Sequence, residues 1–229
     1  MFGNSVLSSS VAIAVSCVAA VVFSSASLAQ ENSTDGTKSA VDQCELHVWP
    51  AADFSSLPFG SGLAPGLAIL FPGDVGETTD DQFTRLVTSK LQFQAIQRAD
   101  IIGTLGLPSG TKTITHNETE SDKVTKKRKE RRSSSDAICY YELHLRSHYL
   151  VEDIVWGDRF ATRFDFRQYS TQPQWDIRHR GEGANKLTVF PIKEEDNPAD
   201  VLKEITEAIE ANFVEYAPKV RRKLARKRR

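Results

Sequence analysis

The segment from Ala137 to Tyr169, AICYYELHLRSHYLVEDIVWGDRFATRFDFRQY, decides the fold because its apolar residues recur at every second position. Successive side chains of a strand point to opposite faces of a sheet, so this period predicts two β-strands. A turn at Gly157-Asp158 would join them into a hairpin, because glycine adopts a positive φ without strain. Glu152-Asp153 is an alternative turn.

Each arm of this predicted hairpin has one apolar and one charged face. The first arm places Tyr141, Leu143, Leu145, Tyr149 and Val151 on one face and Glu142, His144, Arg146 and His148 on the other. The second arm places Phe160, Thr162, Phe164, Phe166 and Gln168 opposite Arg159, Ala161, Arg163, Asp165 and Arg167. One face of an antiparallel sheet commonly packs on the core and the other faces water, so we expect the charged face to be exposed.

The first 29 residues have the composition of an export signal. They contain no charged side chain, have an apolar centre over residues 11–23, and end in Ser27-Leu28-Ala29 before Gln30. Small residues at these positions suit a signal peptidase, and the apolar centre is short for a membrane span. We therefore expect an exported, periplasmic or secreted protein with a disordered tract over residues 30–43. No Lys or Arg precedes the apolar centre, so an uncleaved single-pass anchor through residues 11–23 is the alternative.

Residues 44–217 have the size of one domain. Its two cysteines, Cys44 and Cys139, each begin a strand-like run, and export to an oxidising compartment favours a disulfide between them over two buried thiols. Residues 117–136 are almost entirely polar and predict a disordered basic insert. Residues 218–229 predict a basic C-terminal tail after a helix that Pro218 ends.

The remaining patterns complete an α+β fold. Strands are predicted over residues 44–49, 111–116 and 187–192, and residues 67–71 suit either a strand or a loop. Helical spacing follows Thr79 or Asp80 as a cap, and a second, short helical pattern continues it at Ile101. The longest helix begins at Asn197-Pro198 with an apolar stripe. The predicted architecture is an antiparallel sheet of four or five strands with helices packed on one face.

The charged hairpin face supplies the candidate binding residues: Arg146, Arg159, Arg163, Arg167, His144 and His148. Arginine forks suit carboxylate or phosphate groups, so this face predicts an anionic or protein partner; the alternative is that the charges only keep an exposed sheet face soluble and unpaired. His144 and His148 would lie about 13 Å apart along a strand at ~3.3 Å per residue, too far to share one metal ion. We therefore expect no metal and no cofactor.

Known catalytic motifs are absent from the sequence, which favours a non-catalytic interaction module. The alternative is an exported hydrolase whose dispersed acid/base pair comes from Glu142, His144 and His148. The basic segments, residues 123–132 and 219–229, would suggest nucleic acid in a cytoplasmic protein. Export makes an envelope protein or an anionic polymer or lipid the expected partner instead, and solvated basic segments that bind no ligand are the alternative.

The run Tyr141-Glu142-Leu143-His144-Leu145, followed by residues 154–160, resembles the strand, glycine turn and return strand of small exported envelope domains. The family concerned is the domain shared by curli-secretion-type lipoproteins and the outer-membrane activators of cell-wall synthases. The resemblance covers about residues 44–216 and implies an α+β envelope module. Those proteins are usually anchored through a lipidated cysteine, whereas the mature start predicted here is Gln30. The segments CELHVWPA and RFDFRQY are also similar to exported bacterial proteins without assigned function.

Overall fold

The computed structural model describes residues 44–59, 79–153, 158–170, 173–189 and 196–227. The strands are β1 (Cys44–Trp49), β2 (Asp53–Phe59), β3 (Lys112–Thr115), β4 (Cys139–Asp153), β5 (Arg159–Tyr169) and β6 (Ile177–Lys186). The helices are α1 (Thr79–Leu86), α2 (Ser89–Arg98), α3 (Ile101–Leu105), α4 (Asp122–Lys127) and α5 (Pro198–Lys227). The α+β class is confirmed. The predicted signal, the tract over residues 30–43, the apolar run 67–71 and the turn at Gly157 lie outside the described residues.

The sheet is mixed, so the prediction of a purely antiparallel sheet was wrong. Its strand order is β3-β1-β4-β5-β6, and β2 pairs with β4 beyond the end of β1. The meander β4-β5-β6 is antiparallel, whereas β1 and β2 run parallel to β4 and β3 runs parallel to β1. Parallel neighbours require a crossover connection, which the helices and the long insert provide here. Side-chain alternation is the same in both directions, so the sequence pattern could not distinguish them.

A β-bulge at Arg146 changes which side chains of β4 share a face. Leu145 pairs with Phe164 and Ser147 pairs with Arg163, so Arg146 is the extra residue on β4. Beyond the bulge the alternation is reversed, because a single inserted residue shifts every later side chain to the other face. His148 therefore lies on the core face, opposite Thr162, and not beside His144 as predicted.

Helix α5 packs against the core face of β5 and β6, where two glycines allow close approach. A Cβ on Gly183 would lie 2.2 Å from the carbonyl O of Asn212, and one on Gly181 would lie 3.0 Å from the Tyr216 ring. No strand was predicted over residues 170–185, and glycines are poor strand formers. The structure forms β6 there, and its glycines leave room for α5 to pack closely on the sheet.

The start of α5 follows the prediction, but its end does not. The backbone N–H of Ala199 donates to Asn197 Oδ1 at 3.0 Å, so Asn197 caps the helix before Pro198. Pro218 lies inside the helix, which continues to Lys227. Val220 and Leu224 beyond the proline are buried, and this burial offsets the backbone hydrogen bond that proline removes. Part of the predicted basic tail is therefore helical.

A disulfide joins Cys44 to Cys139 across the parallel strands β1 and β4. The two residues are directly paired in the strand register, and their Cα atoms are 4.6 Å apart. The bond encloses a sequence separation of 95 residues, which contains β2, β3 and the first four helices. The pairing that the two strand-initial cysteines predicted is therefore present.

Candidate functional site

The insert, residues 117–136, covers the sheet face that carries Glu142, His144, Asp165 and Arg167. Asp122 of α4 accepts from Arg146 Nε at 2.6 Å, and its backbone N–H donates to Asp53 Oδ2 at 2.7 Å. Farther along, the guanidinium of Arg131 lies 4.7 Å from the centre of the Tyr140 ring. We expected a disordered surface loop, but the insert forms α4 and uses its charges to bind this face. Helices consequently lie on both faces of the sheet, not on one as predicted.

Three arginines of the sheet hold the C-terminal end of α4. Arg167 Nη2 donates to the carbonyl O of Thr125, and Arg180 Nη2 donates to the carbonyl O of Lys126 at 2.9 Å. Arg178 also donates to the Lys126 carbonyl, at 3.2 Å. The last carbonyls of a helix lack intrahelical donors and carry partial negative charge, so cationic donors stabilise them. Of the arginines predicted to bind a partner, Arg167 and Arg146 thus bind the insert of the same chain.

Glu142 is the centre of the buried network. Its Oε1 accepts from the backbone N–H of Arg132 at 2.6 Å and from the Tyr140 hydroxyl at 3.1 Å. Its Oε2 lies 3.0 Å from His144 Nε2, 3.1 Å from the Tyr169 hydroxyl and 3.6 Å from Arg167 Nη1. Burial alone would raise the pKa of Glu142, but these donors and the positive charge outweigh burial and lower it. Glu142 is therefore a buried carboxylate with every oxygen satisfied.

Asp165 forms a second buried carboxylate centre two residue pairs away from Glu142, because it lies opposite His144 in the register of β4 and β5. Arg167 Nη2 donates to Asp165 Oδ2 at 2.9 Å, and Arg178 Nε donates to Oδ1 at 2.9 Å. Arg167 thus lies between the two carboxylates and also reaches α4. Removing one partner would leave an uncompensated buried charge, which is why such networks are structurally demanding.

A layer of aromatic rings continues this face toward β3. The Trp49 indole lies between the rings of His144 and His116, at centroid distances of 4.8 and 4.4 Å. His47 Nδ1 is 2.8 Å from His116 Nε2, and His47 Nε2 is 3.1 Å from Glu45 Oε2. One proton at most can lie between the two imidazoles, so this bond requires that they are not both protonated. The layer therefore ties His116, the residue before the insert, to His47 and Trp49 of β1.

His144 and Glu142 are the pair with the geometry of an acid/base couple. Burial lowers the pKa of His144 more than the hydrogen bond and charge of Glu142 raise it, so the imidazole is neutral near pH 7. If Nε2–H donates to Glu142, then Nδ1 is a bare acceptor, and it has no partner among the described residues. Both side chains are at most 1% exposed beneath the insert. The pair could move a proton, but no substrate can reach it in this conformation.

The fold buries four of the six predicted binding residues. Arg167, His144, His148 and Arg146 are buried, with exposed fractions of 0, 1, 2 and 5% respectively. Arg159 is exposed, and Arg163 is half-buried with its Nε 3.5 Å from Glu182 Oε2. The expectation of a solvent-exposed charged face was therefore wrong, because the insert neutralises and covers it. His148 is separated from the others by the bulge, and its pKa falls to about 3 because it is buried.

Exposed positive charge lies instead on the outside of the insert and on the last turns of α5. These side chains are Lys123, Lys126, Lys127, Lys129, Lys219, Arg222, Lys223, Arg226 and Lys227, which we call the outer basic surface. Arg178 links its two parts, because its guanidinium donates to the Lys126 carbonyl and its own carbonyl O accepts from Lys223 Nζ at 2.9 Å. Both basic segments were visible in the sequence, but their position side by side required the fold of β6 and α5.

Two further properties concern the described residues alone. In that part of the chain, no group of three or more His, Cys, Asp or Glu side chains is arranged to hold a metal ion. None of the helices described there is both long and apolar enough to span a membrane.

The fold and this face define an α+β protein whose mixed six-stranded sheet buries a charged network beneath an insert. No protein-family model matches the chain, and no curated protein matches it. Among solved structures it is similar to a DUF330 protein from Xanthomonas campestris, with 8% identity, a TM-score of 0.34, and coverage of 81% of this chain and 87% of that one. It is also similar to a minor lipoprotein from Acinetobacter baumannii, with 9% identity, a TM-score of 0.24, and coverage of 77% and 92%.

Proposed function

We propose that this chain is an exported, non-catalytic interaction module of the cell envelope that binds an anionic partner through the outer basic surface. The observation that carries the proposal is the division of charge. The arginines of the sheet face are engaged by Glu142, Asp165 and the carbonyls of α4, whereas the lysines and arginines outside remain exposed. Charges held on a packed scaffold raise the local concentration of an oppositely charged partner.

The overall charge indicates that positive charge is concentrated on one surface and that the protein as a whole is not basic. The formal net charge is −1, with 29 Lys and Arg against 30 Asp and Glu. Helix α5 carries Glu204, Glu207, Glu210 and Glu215 ahead of the cations of its last turns. An anionic partner would therefore be attracted to one region and repelled by another, which favours a defined orientation of binding.

The exported location is supported by the sequence of residues 1–29 together with the disulfide, since disulfides persist in oxidising compartments. Fractionation of the natural source followed by intact-mass measurement tests it. We expect a mass that begins at Gln30, with both thiols protected from alkylation until reductant is added. A cytoplasmic protein with Cys44 and Cys139 alkylated under native conditions would contradict the export proposal.

Binding is tested with heparin as a soluble polyanion, by fluorescence anisotropy over a range of salt concentrations. We expect binding that weakens as salt is raised, because exposed charges are screened over about 8 Å at about 0.15 M ionic strength. The variant Lys123→Glu/Lys127→Glu should bind more weakly. The matched control Lys90→Glu/Lys203→Glu changes two exposed lysines of α2 and the early part of α5 and should bind as the parent does. Equal loss in both variants, or no binding by the parent protein, would refute the proposal.

A further inference from the structure

Strands β1, β4 and β6 begin and helix α5 finishes at the same end of the sheet. β1 and β4 begin there, with Cys44 opposite Cys139, and β6 begins there, with Ile177 opposite Gln168 of β5. α5 runs toward the same end, since Lys223 Nζ donates to the carbonyl O of Arg178 at 2.9 Å. Cys44, the first residue of β1, therefore lies at the end of the sheet where the basic turns of α5 finish.

A hollow of about 510 Å³ lies at this end, between the start of β6 and the end of α5. We call it the Trp175 hollow; its lining includes Trp175, Ile177, Arg178, Lys223, Arg226 and Lys227. The guanidinium of Arg178 is 5.6 Å from the Trp175 ring. Trp175 Nε1 is buried and has no hydrogen-bond partner among the described residues. The hollow thus combines a half-buried indole with four cations, and Ile177 beneath them belongs to the core.

The charge of the hollow remains positive after its own ion pair is counted. Asp176 also lines it, and Asp176 Oδ2 lies 3.3 Å from Lys227 Nζ. Lys223 uses one of its three N–H donors on the Arg178 carbonyl, and Arg226 is exposed. Lys223 and Arg226 are therefore left with donors for an anionic group, beside the Trp175 ring.

We propose that the Trp175 hollow docks on the surface of a bilayer that contains anionic phospholipid. This inference rests on the proposed function and assigns its anionic partner. Tryptophan favours the membrane interface, where its ring meets acyl chains and its N–H meets polar groups, and lysine and arginine stems lie along apolar surface while their heads reach phosphate. Each Lys or Arg near an anionic leaflet contributes attraction.

Two observations favour a bilayer over a soluble polyanion. A soluble polyanion offers no apolar surface, yet the half-buried ring of Trp175 lines the hollow beside the cations. Ile138 is 63% exposed and precedes Cys139, so it lies at the same end of the sheet. An exposed aliphatic side chain at a charged rim is the arrangement expected of a surface that enters an interface shallowly.

The test is co-sedimentation of the purified protein with vesicles of phosphatidylcholine alone and of phosphatidylcholine mixed with phosphatidylglycerol. We expect binding only to the mixed vesicles. Arg226→Glu/Lys227→Glu should weaken it at least about 30-fold, since it reverses the free charge of Arg226 and removes the cation that neutralises Asp176. Arg226→Gln/Lys227→Gln should weaken it in the same direction and protects the test if charge reversal disturbs folding. Lys90→Glu/Lys203→Glu, at the other end of α5, should leave it unchanged.

Trp175→Ala separates a bilayer from a soluble polyanion. It should weaken vesicle binding about tenfold while heparin binding stays the same, because indole partitioning contributes only at an interface. Equal binding to both vesicle types, or an unaffected Arg226→Glu/Lys227→Glu variant, would overturn the inference. If heparin is bound but mixed vesicles are not, the bilayer is excluded and the proposed function stands. If neither is bound, both proposals fail.

Discussion

His148 should make the stability of this protein depend on pH in a measurable window. The imidazole is 2% exposed on the core face, with Nδ1 3.0 Å from Thr162 Oγ1. Asn212 Nδ2 donates to the same oxygen at 3.1 Å, so the Thr162 hydroxyl proton is available for His148 Nδ1. Burial lowers the pKa of His148 to about 3.

The direction of this pH dependence follows from the protonation of His148 in the unfolded and folded states. In the unfolded chain a histidine has a pKa of about 6.5, so it takes up a proton below that pH, while folded His148 stays neutral until about pH 3. The contribution of His148 to the free energy of unfolding is therefore fully present above about pH 6.5 and is lost as the pH drops toward about 3. Between about pH 6.5 and pH 4.5 the loss from this residue is about 3 kcal/mol, at about 1.4 kcal/mol per pH unit.

Urea denaturation of the parent protein and of His148→Asn at about pH 7 and about pH 4.5 measures this difference, since the asparagine amide replaces Nδ1 but does not titrate. The parent should lose about 3 kcal/mol more than the variant on acidification. Thr162→Val is the matched control: it removes the hydrogen bond but leaves the imidazole buried, so its pH dependence should resemble that of the parent. Parallel acid profiles of the parent and His148→Asn would refute the reasoning.

Three other predictions concern the packing of the sheet. Glu142→Ala should lower the free energy of unfolding by about 4 kcal/mol in urea titrations, because it leaves buried cations and donors without their carboxylate; a loss no larger than that of an exposed Glu→Ala change would contradict this. Gly183→Ala should cost about 3 kcal/mol because its Cβ would meet the Asn212 backbone, whereas Gly181→Ala, facing a ring edge, should cost about 1 kcal/mol; equal melting temperatures would argue against the close approach. Cys44→Ser/Cys139→Ser should cost about 4–5 kcal/mol in the loop-entropy model, and reductant should lower the stability of the parent but not of this variant.

The hairpin could be predicted because its signal is local. Alternation in β5 sets Phe160, Phe164 and Phe166 on one face, and the paired register confirms it. Alternation in β4 failed beyond Arg146, because a bulge depends on what the partner strand and the insert require and not on the residues of one strand. β6 was missed for a related reason. Gly181 and Gly183 are poor strand residues that α5 requires for close packing.

The candidate site could be predicted only in composition. The sequence identifies Glu142, His144 and Arg167 as one charged face, and they do lie together. It could not show that residues 117–136 cover that face, because low hydrophobicity normally predicts disorder. The insert is ordered by ion pairs, cation–π contacts and helix-end hydrogen bonds, which are tertiary and leave no periodic signal. The sequence consequently does not distinguish an exposed arginine from one that is bound to the insert.

The disulfide also determines how the domain would respond to mechanical load. Tension applied to the chain ahead of Cys44 passes through a covalent bond to β4, a central strand, and not through the hydrogen-bond ladder of β1 alone. Because the bond joins the first residues of both strands, β1 cannot peel from the sheet one residue at a time from that end. Reducing the bond would convert a force-resistant attachment point into one that unzips, so the oxidation state of two thiols sets how firmly the domain holds whatever precedes it.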